Sequence, residues 1–106
     1  MELENKFSAL QLAVINEQAA MYTCACPVHV SLQITYLRKL FDYQNLCLKE
    51  AATSELDAQV HLKIAEVTKK AHQLMEQCLD EVLDMEGWDR NSLSMPETTT
   101  RKRIEQ

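Results

Sequence analysis

The chain has 106 residues, 46% of them hydrophobic, and a formal net charge of −5. One glycine and two prolines are too few for the turns of a β-rich protein, and strong helix formers dominate the composition, so an all-α domain is predicted. The acidic balance argues against nucleic acid as the main ligand. The first residues lack the pattern of a signal peptide and no apolar run is long enough to span a bilayer, so we expect a cytoplasmic protein without a membrane segment.

A first helix is predicted from Leu3 to Met21. Its apolar residues recur every three or four positions, which places them on one helix face. They are Leu3, Phe7, Leu10, Val14 and Met21.

A second helix is predicted from Pro27 to about Ala52, because proline suits the first turn of a helix. Two apolar stripes run along it, and a helix that packs on one neighbour needs only one. We therefore expect this helix to be covered on two sides. The first stripe is Val28, Leu32, Tyr36, Leu40, Tyr43 and Cys47, and the second is Val30, Ile34, Leu37, Phe41 and Leu48.

A third helix is predicted from about Glu55 to Glu86, with Ser54 as its N-cap and Gly87 as its left-handed stop. Its apolar spacing is close to the heptad of a coiled coil. This seam consists of Leu56, Val60, Ile64, Val67, Ala71, Leu74, Cys78, Val82 and Met85. A second stripe of Leu62, Ala65, Met75, Leu79 and Leu83 broadens the apolar face.

The sequence divides into a helical bundle domain over residues 1–89 and a polar tail over residues 90–106. Ser94, Pro96 and Glu97 suit the start of a short last helix, and an unstructured tail is the alternative. The short link between the two long helices predicts an antiparallel hairpin, to which the N-terminal helix adds. Such a hairpin has more apolar surface than one chain can cover, so we expect a helical-bundle homodimer, or else a different protein partner.

A cysteine and histidine cluster is predicted where the second helix begins. Residues equidistant from the hairpin turn lie side by side, so Cys24, Cys26, His29 and Cys78 are expected near one another. Three thiolates and an imidazole can bind zinc, and thiolate-rich sets also bind iron–sulfur clusters. The Cys-Ala-Cys spacing is tighter than structural zinc sites use, and free cysteine is often a small buried hydrophobe. Packing without any cofactor is therefore the leading interpretation, and a metal-binding or redox-sensing bundle is the alternative.

No phosphate-binding loop or hydrolase motif occurs, so we expect no enzymatic activity. Acidic residues crowd the end of the third helix, where the helix dipole disfavours them. They predict a docking surface for a protein partner, with basic residues of the tail as a further contact. The acidic set is Asp80, Glu81, Asp84 and Glu86, and the basic set is Arg101, Lys102 and Arg103. The sequence thus predicts a small homo-oligomeric regulator, inhibitor or adaptor that acts by protein–protein interaction.

Overall fold

The computed structural model of the protein describes residues 2–22, 25–50 and 54–96. Helix α1 spans Ala9–Glu17 and continues into a short 3-10 turn at Gln18–Ala20, α2 spans Cys26–Glu50, and α3 spans Glu55–Met85. The secondary structure of the described part of the chain is helical, without a strand, which confirms the prediction of an all-α protein. Within these ranges, no helix has both the length and the apolar character needed to cross a membrane.

Helices α2 and α3 pack against each other as an antiparallel hairpin. The Ser54 hydroxyl caps α3 by accepting a hydrogen bond from the Asp57 amide at 3.1 Å, as predicted. Gly87 ends α3 with φ of +73°, a backbone conformation that glycine adopts without strain. Near the turn, the Nδ1 atom of His61 lies 2.6 Å from the side-chain oxygen of Gln44. The predicted hairpin and both ends of α3 are therefore confirmed.

Helix α1 begins later than predicted. Ser8 is its N-cap, and its hydroxyl and amide form a reciprocal capping box with the amide and side chain of Gln11. Residues 2–8 are not helical, so the prediction of a helix from Leu3 is wrong. The reason is a competing long-range contact, because the amides of Lys6 and Phe7 donate to the carboxylate of Glu76 on α3.

The apolar core lies at the end of the hairpin away from the turn. There, α1 and the N-terminal segment meet the start of α2, the end of α3 and the segment that follows α3. The core residues are Phe7, Leu12, Ile15, Tyr22, Ala25, Val28, Ile34, Leu79, Leu83, Trp88, Leu93 and Met95.

The segment after α3 packs against this core although its sequence is mostly polar. Trp88, Leu93 and Met95 are buried, so two residues of the predicted polar tail, Leu93 and Met95, belong to the core, whereas residues 90–92 are exposed. The Met95 amide donates to the side-chain oxygen of Gln18 at 3.0 Å, and the Tyr22 hydroxyl donates to the Met95 carbonyl at 3.2 Å. The predicted last helix falls mainly on residues 97–106, which lie outside the described residues, as do the basic residues Arg101, Lys102 and Arg103.

Candidate partner-binding surface

The side of α3 that faces into the molecule is partly polar. Its buried residues are Ala65, Thr68, His72, Glu76, Leu79 and Leu83. Ala65, Leu79 and Leu83 belong to the second, weaker stripe of the sequence, whose other members Met75 and Leu62 are half-buried and exposed. Polar residues lie between the buried apolar ones. The helix has therefore turned its more continuous apolar face away from α2.

That outward face is the predicted heptad seam, which we call the α3 stripe: Leu56, Val60, Ile64, Val67, Ala71, Leu74, Cys78, Val82 and Met85. Its central members Val67 and Leu74 are 53% and 66% exposed. Ala71, Cys78 and Val82 are half-buried. An apolar stripe of this length on a helix of about 46 Å is unusual for a soluble monomer.

Helix α2 repeats the same arrangement. Ile34 and Phe41, from the second predicted stripe, are buried between the helices. The other predicted stripe is mainly outside, and we call its exposed members the α2 stripe: Leu32, Tyr36, Leu40 and Tyr43. Both long helices thus present apolar side chains to the surroundings.

A buried polar cluster joins α2, α3 and the N-terminal segment. The Arg38 guanidinium donates to the Glu76 carboxylate and to the Nε2 atom of His72, each at 3.0 Å, and to the Phe7 carbonyl at 2.6 Å. The same carboxylate oxygen accepts the amides of Lys6 and Phe7 at 2.7 and 2.9 Å. Glu76 therefore accepts three hydrogen bonds on one oxygen and carries a charge opposite to that of Arg38.

The cluster also sets the protonation state of His72, whose ring is 1% exposed. Burial lowers the pKa of His72 below its ordinary value, the positive charge of Arg38 acts in the same direction, and the negative charge of Glu76 opposes both. Because a guanidinium can only donate, Nε2 accepts and the imidazole is neutral. The cluster serves to anchor residues 2–8 against the hairpin. Sequence reasoning missed this role, although His72 and Glu76 already lay on the face shared by Ala65 and Leu79.

The acidic end of α3 is partly neutralised within the chain. Asp80 accepts from Arg90 and lies 3.3 Å from the ammonium of Lys6, and the hydrogen bond from Arg90 lowers the pKa of this carboxyl. Arg90 also donates to Asp84 at 2.7 Å.

The other two acids of the predicted docking surface have neutral hydrogen-bond donors. Glu86 accepts from the Trp88 indole at 3.0 Å, and Glu81 accepts from the Gln77 amide at 3.3 Å. The side chain of Asp84 stays 66% exposed beside Arg90, so this end of the helix still presents negative charge.

The predicted metal ligands are only partly described. Cys26 and His29 are exposed at the start of α2 and Cys78 is half-buried on α3, whereas Cys24 lies outside the described residues. No group of three or more histidine, cysteine or acidic side chains is arranged to hold a metal ion among the residues that the structure describes. A zinc or iron–sulfur site that includes Cys24 stays a prediction.

The comparisons with known proteins add no further assignment, because no family model, curated protein or solved structure matches this chain.

Proposed function

We propose that this protein is a small, non-enzymatic binding protein that assembles as a homodimer through its outer apolar stripes. The observation that supports this proposal is the exposure of the α3 stripe, whose members recur at heptad spacing on the longest helix. Heptad spacing is the pattern by which helices pair with other helices. Burying such an exposed apolar stripe against a second helix lowers the free energy of the chain.

The acidic end of α3 is the surface we assign to a protein target, as expected of a regulator, inhibitor or adaptor. Its support is the exposed carboxylate of Asp84 and the neighbouring carboxylate of Asp80, which share one arginine. Asp84→Lys should reduce the binding of a basic target while the helical content stays unchanged. Equal binding of the wild type and Asp84→Lys would remove the acidic end from the proposal.

Sedimentation equilibrium of the wild-type chain tests the dimer directly. Leu74→Glu places a charge in the centre of the α3 stripe and should make the protein monomeric, because a dimer would have to bury that carboxylate. Its matched control is Gln73→Glu, which adds the same charge at the adjacent exposed position. Since Leu74 is 66% exposed in the single chain, both variants should keep the circular dichroism of the wild type.

Three results would contradict the dimer. These are a monomeric wild type at micromolar concentration, a dimer that survives Leu74→Glu, or a dimer that Gln73→Glu disrupts to the same extent. A monomeric wild type would indicate that a different protein, and not a second copy, binds the apolar stripes.

A further inference from the structure

We propose that the two copies pair through α3 in antiparallel orientation, so that Val67 of one copy lies in the same layer as Cys78 of the other. This inference rests on the proposed function and adds the orientation and register of the interface. It also predicts which side chains from the two copies meet.

The spacing of the α3 stripe supports pairing of α3 with a straight helix of the same kind. From Val60 to Cys78 the exposed or half-buried positions follow steps of four, three, four, three and four residues. Alternating steps of four and three residues repeat every seven residues, which is the heptad of a left-handed coiled coil, in which the stripe stays in contact along its length. Beyond Cys78, Glu81 occupies the next seam position and the apolar stripe shifts to Val82.

The charges on α3 favour the antiparallel orientation. Its three lysines, Lys63, Lys69 and Lys70, lie no later than the middle of the helix, and its last turns carry Asp80, Glu81 and Asp84. A parallel pair would place the two acidic ends together, which is unfavourable. An antiparallel pair separates the two acidic ends and can bring each of them near Lys63 of the other copy.

One register satisfies the apolar and the charged positions together. When Val67 lies opposite Cys78, Ala71 lies opposite Leu74, so a small side chain meets a large one near the two-fold axis. The same register places Glu81 opposite Ile64 and Val82 opposite Lys63, so the Lys63 ammonium lies one residue along the axis from the Glu81 carboxylate of the other copy, and the two-fold axis produces this pair twice. Both side chains are exposed in the single chain. The hydrogen-bond donor described for Glu81 is the neutral side-chain amide of Gln77, so the charge of Glu81 is not compensated by this contact.

Disulfide cross-linking distinguishes this arrangement from a parallel one. The background variant carries Cys24→Ser, Cys26→Ser and Cys47→Ala, so that Cys78 is the only thiol. In the antiparallel register, the two Cys78 residues are 11 positions out of layer, about 16 Å along the axis, which exceeds the reach of a disulfide. In a parallel pair they would share a layer.

We expect no cross-linked dimer from Cys78 alone under mild oxidation, and efficient cross-linking when Val67→Cys is added to this background. The matched control is Glu66→Cys, the adjacent exposed position on another face of α3, which should not cross-link. Cross-linking through Cys78 alone, or equal cross-linking by both added cysteines, would overturn the antiparallel register. Circular dichroism of each variant confirms that it is folded.

A charge exchange provides a second, independent measurement. Lys63→Glu or Glu81→Lys alone should each weaken the dimer about tenfold, because the change acts at both symmetric pairs. The double variant should return to within about twofold of the wild type. A wild-type dimer without this restoration contradicts the antiparallel register but leaves the proposed function intact, whereas a monomeric wild type contradicts both.

Discussion

Replacing Glu76 by glutamine removes the charge at the centre of the buried cluster while keeping its shape. The wild-type carboxylate accepts from the amides of Lys6 and Phe7 and from the guanidinium of Arg38. The amide oxygen of glutamine can accept some of these bonds, but it gives Arg38 no opposite charge. The Arg38 side chain is only 16% exposed, so the uncompensated guanidinium is costly in the folded state.

The size of this loss follows from the number and kind of the contacts. Removing one partner of a buried ion pair costs about 3–5 kcal/mol, and partial access of Arg38 to water reduces that figure. We therefore expect Glu76→Gln to lower the free energy of unfolding by about 3 kcal/mol. Glu66→Gln, which changes an exposed carboxylate on another face of the same helix, should alter it by no more than about 0.5 kcal/mol.

Urea unfolding followed by circular dichroism, at one fixed protein concentration, measures both variants. Amide hydrogen exchange adds a local measurement, because the amides of Lys6 and Phe7 should exchange faster in Glu76→Gln. The effect of this substitution should shrink in an Arg38→Met background, where no guanidinium is left without its counter-ion. Equal stability of Glu76→Gln and Glu66→Gln would show that the cluster does not anchor the N-terminal segment.

Stability should depend on pH through His72, whose pKa is lower in the folded chain than its ordinary value of 6.5. Just below pH 6.5, the unfolded chain therefore binds more protons than the folded chain. The free energy of unfolding should fall as the pH decreases through 6.5. Urea unfolding at pH 7.5 and 5.5 measures this, and His72→Gln should lose that part of the dependence. Gly87→Ala should lower the free energy of unfolding by about 1 kcal/mol through backbone strain alone, since the added methyl group would make only an ordinary 3.8 Å contact with Pro96. Thermal unfolding measures this loss, and Gly87→Asn is the control, because asparagine adopts a positive φ with less strain. Metal analysis of protein purified without chelator should find no bound ion, as packing without a cofactor predicts, whereas about one zinc or iron per chain would support the metal-binding alternative.

Local signals in the sequence were sufficient to place the two long helices. Ser54 is an N-cap directly before a strong helical period, and Gly87, the one glycine of the sequence, ends α3 with a positive φ. Both signals lie within a few residues of the helix boundary that they define. The start of α1 was not predictable in this way. Phe7 fits the helical period, but its amide is taken by Glu76, 69 residues away in sequence.

The choice between the apolar faces of α3 also depends on tertiary contacts. Periodicity shows that two stripes exist, yet it does not show which one packs against α2. Arg38 on α2 forms an ion pair with Glu76, which lies on the same face of α3 as the weaker stripe. Because this pair is formed inside the molecule, the weaker stripe faces inward and the stronger stripe faces outward. Trp88, Leu93 and Met95 were missed for a similar reason, because their apolar character is diluted by polar neighbours and has no helical period.

The division of α3 into an inner mixed face and an outer apolar face means that the folding of the single chain and the association proposed for it depend on different residues. Substitutions at Thr68 or His72 should change the free energy of unfolding of each chain. Substitutions at Val67 or Leu74 should leave the single chain folded and change only its ability to associate. In the proposed dimer, the strength of association can therefore change over evolutionary time without a loss of folded protein.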